Sequence, residues 1–227
     1  MNKILFSILF LFLTNVYLFS HVNHYSNLEY LEYDLFRNNN LIGKHIYKFN
    51  RKNNKLTIDS EVEFKIKKFN IELYKYFAKS TEVYKNGKFF EFSAKTKQNK
   101  KDKYVNISVK EGGKSLIIDG SSYRGPANIE AIVGTWWNHE IVKANSQISA
   151  VSGRIIEQKV TFLGKKKINL GNKDYMALHF NFKSADENLP ENKKLNTDIW
   201  YDAKTLIWLK ARFVKQGDWE YRLKKHN

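Results

Sequence analysis

Polar and apolar side chains alternate with a period of two in residues 56–67, and this pattern limits the possible fold more than any other feature. Successive side chains of a strand point to opposite faces of a sheet, so the pattern predicts a strand with one buried face. That face carries Leu56, Ile58, Ser60, Val62, Phe64 and Ile66. Similar patterns predict strands at residues 28–36, 42–49, 73–84, 89–97, 104–109, 115–118, 155–163, 167–170, 175–182, 197–201, 206–214 and 219–223.

Short turns separate these predicted strands and indicate an antiparallel arrangement. Asn53-Asn54, Asn86-Gly87 and Gly112-Gly113 are typical of tight turns. Short strands joined by short turns form antiparallel meanders, and an open sheet of about a dozen strands curls. We therefore expect an all-β fold, a large curved antiparallel sheet or half-open β-barrel, in a single β domain of residues 21–227.

Two segments interrupt the alternation. Residues 120–145 include Ala127, Ala131 and Ile132, whose spacing permits a short helix, and then Trp136-Trp137. A long loop inside a compact β domain is usually a functional element, so this segment is predicted to form a short helical or loop cap over the sheet. Residues 185–196 are polar, contain Pro190, and are predicted to form a mobile surface loop.

The N-terminal segment resembles a secretory signal peptide. Lys3 precedes a nearly continuous apolar run that ends at Phe19. The run is shorter than the roughly 20 residues that cross a bilayer, so residues 1–20 are predicted to be cleaved near Ser20. The alternative is an uncleaved membrane anchor. With Cys 0, export to the periplasm would not depend on disulfides.

The chain carries a formal net charge of +16, which makes anionic partners worth considering. Of its 39 Lys and Arg residues only six are Arg. Nucleic-acid surfaces favour Arg because its planar guanidinium binds phosphate and guanine through two hydrogen bonds. The Lys residues are therefore interpreted mainly as a solvated surface. No nucleic-acid partner is expected, and an anionic membrane surface remains a weak candidate.

Six short motifs together resemble the exported proteobacterial family called domain of unknown function 6134, and more distantly the family numbered 3108. The resemblance covers nearly all of the chain beyond residue 30. It implies a curved antiparallel sheet like that of periplasmic lipoprotein carriers, and it implies no catalytic residues. The motifs are Tyr33-Asp34 with Ile42-Gly43, Val83-Tyr84-Lys85-Asn86-Gly87, Thr135-Trp136-Trp137-Asn138, Gly164 with Gly171, Asp198-Ile199-Trp200-Tyr201-Asp202 and Trp219-Glu220-Tyr221-Arg222-Leu223.

The sequence offers little support for catalysis or metal binding. Ser121 and Ser122 do not lie in a nucleophile-elbow motif, and the histidines form no pair with metal-ligand spacing. His179 alternates with Leu178 and Phe180, which predicts an exposed strand position. We expect no catalytic residues, no metal and no cofactor.

Aromatic residues give the clearest functional signal, because large rings with a polar atom suit a cavity for an amphipathic ligand. Trp200, Trp208 and Trp219 lie in predicted strands, where core packing is the simpler interpretation. Trp136 and Trp137 are adjacent, so in extended chain their rings point in opposite directions. The predicted ligand-binding residues are Trp136, Trp137, Asn138, His45, Tyr47, Asp198 and Trp200.

Three functional interpretations remain open at this stage. The first is a non-enzymatic periplasmic binder or carrier of a lipid or other apolar small molecule, active in envelope maintenance. The second is an enzyme on the same scaffold that uses His45, Tyr47, Asp198 or Asn138 for proton transfer. The third is a structural envelope protein with a filled core. Nothing in the sequence favours one oligomeric state over another.

Overall fold

Strands account for most of the computed structural model, which describes residues 24–227. The predicted signal peptide, residues 1–20, lies outside the described residues. The strands are β1 (Tyr30–Arg37), β2 (Asn40–Lys52), β3 (Lys55–Lys68), β4 (Ile71–Lys85), β5 (Lys88–Gln98), β6 (Lys101–Val109), β7 (Ser115–Gly120), β8 (Arg124–Asn128), β9 (Ile132–Val133), β10 (Ser146–Ile148), β11 (Ile155–Leu170), β12 (Lys173–Ser184), β13 (Asn196–Asp202), β14 (Trp208–Val214) and β15 (Asp218–His226).

These strands form one curved sheet, in the order β8-β7-β6-β5-β4-β3-β2-β1-β15-β14-β13-β12-β11-β10-β9. Neighbouring strands are antiparallel except β9 and β10, which are parallel. The chain therefore runs as two meanders, and the pairing of β1 with β15 joins them at the centre of the sheet. The expected all-β fold with a large curved antiparallel sheet is confirmed.

The two edges of the sheet, β8 and β9, do not pair, yet they lie close together. Only residues 129–131 separate them, so Asn128 and Ile132 are at most about 14 Å apart. The loop between β10 and β11 also reaches the opposite meander, because the Ser122 amide donates to the Ser152 carbonyl at 2.9 Å. The sheet is consequently a nearly closed barrel with one unpaired seam.

Gly120 at the end of β7 permits this approach. A Cβ atom on residue 120 would lie 2.6 Å from the Ser152 carbonyl oxygen, closer than real Cβ contacts allow. The adjacent core joins residues from both edges, since Ile118 of β7 and Ile148 of β10 belong to the same buried cluster. Side chains from the two ends of the sheet thus pack together in one cluster.

Two details of the sequence prediction are wrong. Residues 127–132 do not form a helix, because Ala127 pairs with Leu116 of β7 and Pro126 fits an edge strand that needs no donor at that position. The helical turn of the cap is instead a 3-10 helix, His139–Lys143. The two strands predicted at 155–163 and 167–170 are one continuous strand, β11, with a register shift between Phe162 and Gly164.

The main core lies on the inner face of the sheet around β1, β2, β13 and β14. Its largest fully buried side chains include Trp208, Tyr33 and Tyr201. The Tyr33 hydroxyl donates to the Trp208 carbonyl at 2.7 Å, so a buried polar atom is satisfied within the aromatic layer. No helix within residues 24–227 has the length and apolar composition needed to cross a membrane.

Candidate ligand cavity

A cavity of about 270 Å³ lies between the inner face of β2–β5 and the segment that covers it. Small side chains on neighbouring strands create the space: Ser60 pairs with Ser80, and Ser80 pairs with Ala94. Val62 and Ala78 form the next pair along the strands. These small side chains do not fill the space between the sheet and the segment that covers it, so a cavity remains.

The other side of the cavity is formed by the cap and by two loops. Gly134, Thr135 and Trp136 cover it from the cap, while Ala150, Leu195 and their neighbours close it from the loops after β10 and β12. The segment predicted as a mobile polar loop, residues 185–196, therefore contributes an apolar wall residue. Its backbone is held by a hydrogen bond from the Leu195 amide to Ser184 Oγ at 2.8 Å.

Two tyrosines fix the backbone of the cap to the sheet. The Tyr47 hydroxyl of β2 donates to the Thr135 carbonyl at 2.5 Å, and the Tyr201 hydroxyl of β13 donates to the Trp136 carbonyl at 2.9 Å. Both hydroxyls are buried, so each bond satisfies a donor that water cannot reach. The cap thus bridges strands from both meanders across the interior.

The two adjacent indoles of the cap diverge, and a positive φ of 61° at Trp136 accompanies this change of direction. Trp136 lines the cavity and lies edge-on to Trp208 and Tyr221. Trp137 is 1% exposed and packs edge-on to Phe49, and it is absent from the cavity wall. Trp136 therefore faces the cavity, whereas Trp137 fills the core beside the cap.

Glu82 is a buried residue that the sequence analysis did not identify. Its carboxylate accepts hydrogen bonds from Tyr84 OH at 2.6 Å, Trp137 Nε1 at 2.9 Å and Thr135 Oγ1 at 3.2 Å. Burial raises the pKa of Glu82, while these three donors act in the opposite direction. The signal was present in the alternation of β4, because Glu82 shares the inward phase of Ser80 and Tyr84.

His45 supplies the principal polar group of the cavity wall. Its Nε2 lies 2.8 Å from Ser60 Oγ, and burial lowers the pKa of His45 to about 3, so the ring is neutral. Its Nδ1 has no hydrogen-bond partner within residues 24–227, and the same is true of Trp136 Nε1. Buried polar atoms are normally paired, so these two atoms are exceptions among the described residues.

The seven predicted ligand-binding residues fall into three groups. His45, Tyr47 and Trp136 line the cavity. Trp137 and Asn138 lie deeper in the cap, where Asn138 Oδ1 accepts from the Glu140 amide at 3.1 Å and begins the 3-10 helix. A turn-capping role for Asn138 follows from this geometry.

Asp198 and Trp200 lie on the opposite face of the sheet, outside the cavity wall. Their neighbours Ile199 and Tyr201 point into the barrel, so the period of two directs Asp198 and Trp200 to the other face, where Trp200 is still buried. Asp198 instead contacts His179 Nε2 at 3.0 Å, and the His179 ring stacks on Trp200. The expectation that His179 is exposed is wrong: it is 6% exposed, because Trp200 covers it.

The four residues considered for proton transfer are therefore dispersed. His45 and Tyr47 line the cavity, Asn138 lies within the cap, and Asp198 lies on the other face. Within the described part of the chain, no three His, Asp or Glu side chains lie close enough to hold a metal ion.

Comparison with known proteins places the chain in a family. The sequence profile described as Domain of unknown function (DUF6134) matches residues 33–224. The chain belongs to this family. Membership in this DUF6134 family, expected from the six short motifs, is confirmed. No curated protein matches the chain.

A solved structure shares the fold of this DUF6134 protein. It is a crystal structure titled as a beta-barrel-like protein of domain of unknown function DUF1849 from Brucella abortus. The two chains are 10% identical and superpose with a TM-score of 0.60, over 88% of this chain and 97% of the other. The similarity establishes a barrel-like fold shared with another family of unknown function.

Proposed function

We propose that this DUF6134 protein is a non-enzymatic binder or carrier of a small apolar or lipid-like molecule, exported to the periplasm and active in envelope maintenance. The observation that carries the proposal is the interior cavity between the small residues of β3–β5 and Trp136. Its wall is mostly aliphatic and aromatic, and His45, Ser60 and Thr135 add a few polar groups to it. This combination suits a ligand with an apolar body and one polar group.

The size of the cavity limits the ligand. Binding sites for small molecules usually measure about 300–1,000 Å³, so a cavity of about 270 Å³ lies just below that range. A complete phospholipid with two acyl chains would not fit. A short single chain, or a compact amphiphile comparable to one or two rings, is the expected occupant.

Export is proposed from the N-terminal segment and is tested separately. The apolar run before Ser20 has the length of a signal peptide, and the chain has Cys 0, so its fold needs no oxidising folding machinery. N-terminal sequencing of the protein recovered from the periplasmic fraction is expected to begin near His21. Recovery only from membranes with Met1 intact would favour the uncleaved anchor.

Filling the cavity tests ligand binding directly. Ser80→Leu adds a large apolar side chain inside the cavity wall, and Ser93→Leu makes the same change on an exposed, outward-facing position of β5. We expect the lipophilic dye N-phenyl-1-naphthylamine to lose at least tenfold in affinity with Ser80→Leu and to bind Ser93→Leu as it binds the parent chain. Native mass spectrometry is expected to detect a copurified small molecule in the parent chain.

The opposite results would remove the proposal. Equal dye affinity in both variants would place binding outside the cavity. A parent chain that carries no molecule after gentle purification and binds no apolar dye would favour the structural protein with a filled core. Circular dichroism of Ser80→Leu confirms that any lost binding occurs in a folded protein.

One observation supports the enzymatic alternative, namely the hydrogen bond between His45 Nε2 and Ser60 Oγ inside the cavity. A serine beside a histidine can act as a nucleophile when a third group orients the histidine. Here Nδ1 of His45 has no such partner among residues 24–227. Hydrolysis of a short p-nitrophenyl ester that disappears in Ser60→Ala, with the fold retained, would establish the enzyme instead of the carrier.

A further inference from the structure

One hairpin of the sheet projects beyond its neighbours. β3 pairs with β2 only as far as Phe64, and β4 pairs with β5 only from Tyr76 onward. Residues 65–75, which we call the projecting hairpin, therefore form strand pairs only with each other, although Asn99 of the next turn hydrogen-bonds to Lys75. At about 3.3 Å per residue, the tip at Phe69 extends roughly 16 Å past the last residue of β3 that has partners on both sides.

The projecting hairpin exposes large apolar side chains at its tip. Phe69 is 88% exposed, Ile71 is 64% exposed and Leu73 is 54% exposed. Phe69 also has a φ of 50°, in the left-handed region that a bulky residue rarely adopts. The fold gains no core packing from Phe69 in return for this strain. Exposed apolar side chains that lie side by side are typical of interaction surfaces.

Lysines surround these apolar side chains on two adjacent hairpin tips. The turn between β5 and β6 lies beside the projecting hairpin, because the Asn99 amide donates to the Lys75 carbonyl at 2.8 Å. Each of the two segments has a single acidic residue, Glu72 in residues 65–75 and Asp102 in residues 97–103. The lysines of the same two segments are Lys65, Lys67, Lys68, Lys75, Lys97, Lys100, Lys101 and Lys103.

We propose that this end of the barrel docks on an anionic lipid bilayer, with Phe69, Ile71 and Leu73 inserted at the headgroup level. Apolar side chains that enter the interface and a rim of lysines that contact anionic headgroups are the two components of reversible membrane binding. A nucleic acid would use the lysines but would leave the aliphatic Ile71 and Leu73 exposed to water. The bilayer is the partner that accounts for both features.

The docking surface lies at one end of the strands whose middle parts form the cavity wall. Val62 and Ala78 of the cavity wall lie on the same two strands as the projecting hairpin. Val62 is seven residues from Phe69, which corresponds to roughly 23 Å along the strand. Docking does not require a ligand in the cavity. A negative result in the vesicle assay therefore leaves ligand binding untouched, and the reverse also holds.

A single fluorescent label tests the docking geometry in the full chain. Because the sequence has Cys 0, Phe69→Cys creates a unique site for the polarity-sensitive dye nitrobenzoxadiazole. Lys110→Cys, in the exposed turn after β6 at the opposite end of the strands, is the matched control. The dye reports its local surroundings, so the measurement is valid whether or not residues 1–20 are present.

We expect vesicles of equal parts phosphatidylglycerol and phosphatidylcholine to shift the emission of the label at position 69 to shorter wavelength. High salt should reverse the shift, and pure phosphatidylcholine vesicles should produce much less of it. The label at position 110 should not respond. An equal response at both positions, or none at position 69, would overturn the proposal.

The contribution of the lysines is measured in the chain labelled at position 69. Lys67→Gln with Lys68→Gln should weaken vesicle binding by about 25-fold, at roughly fivefold per lysine. Lys52→Gln with Lys55→Gln removes the same charge at the opposite end and should have little effect. Equal losses in the two pairs would attribute binding to net charge alone. A response to polyuridylic acid and to no vesicle would assign the surface to nucleic acid and reject the bilayer.

Discussion

Replacing Trp137 with phenylalanine tests whether the buried Glu82 carboxylate holds the cap in place. The substitution keeps an aromatic ring beside Phe49 but removes the Nε1 donor that lies 2.9 Å from Glu82. Trp137 is 1% exposed, so water cannot replace the lost donor without entering the core. The variant loses one hydrogen bond between the cap and β4, so the Glu82 carboxylate accepts two hydrogen bonds instead of three.

The expected loss of stability follows from two contributions. A hydrogen bond to a charged group contributes about 1.5–3 kcal/mol, and the void left by the smaller ring adds about 1 kcal/mol. We therefore expect Trp137→Phe to lower the free energy of unfolding by about 2.5–4 kcal/mol. In a domain of this size that loss lowers Tm by roughly 5–16 °C.

Trp136→Phe is the matched control within the same cap. It makes the same chemical change, but Trp136 Nε1 has no partner among residues 24–227, so its removal leaves no carboxylate unsatisfied. We expect a change in unfolding free energy of no more than about 1 kcal/mol. Denaturation in urea, followed by circular dichroism, measures both variants under identical conditions.

A double-mutant cycle separates the hydrogen bond from the packing. In a Glu82→Gln background the buried charge is gone, so Trp137→Phe should cost only about 1.5–2 kcal/mol, which gives a coupling of about 1–2 kcal/mol. Additive effects, with a coupling below about 0.5 kcal/mol, would show that Trp137 acts only by filling space. In that case Glu82 does not hold the cap in place.

Two further predictions concern His45 and the seam of the sheet. Because burial lowers the pKa of His45 to about 3, its stabilising contribution is complete above the usual value near 6.5 and is lost as pH falls toward 3. Relative to His45→Gln, the parent chain should lose up to about 1.4 kcal/mol per pH unit in that range, measured by urea denaturation; a constant difference between the two chains would contradict the burial of a neutral ring. Gly120→Ala should destabilise the protein by about 1–3 kcal/mol, because the new Cβ would lie 2.6 Å from the Ser152 carbonyl oxygen. A loss below about 0.5 kcal/mol in the same assay would mean that the two edges of the sheet can separate at little cost.

The alternation pattern predicted strands well where each strand has one buried face. β3 matches its prediction closely, since Leu56 and Ile58 are buried and Asp59 is exposed. The pattern failed where pairing with a neighbouring strand decides the conformation. The spacing of Ala127, Ala131 and Ile132 permits a helix, but the edge of β7 pairs with Ala127 and Asn128 and makes them part of a strand.

The candidate site was predictable in part. Trp136 and Trp137 were identified because they interrupt the alternation, yet only their positions in three dimensions show that Trp136 lines the cavity and Trp137 does not. The period of two places Asp198 and Trp200 on the same face of β13, but the sequence does not reveal which face is the inner one. Glu82 could have been found by extending the inward phase of Ser80 along β4.

The sequence by itself determines that the chain forms a large antiparallel sheet, because the period of two and the turn residues are local properties. The tertiary structure decides how far the sheet curls, since closure depends on contacts such as that between Gly120 and Ser152, which are 32 residues apart. It also decides that an interior cavity remains. Cavity volume depends on the sum of side chains from several strands and the cap, and no local pattern in one strand specifies that sum.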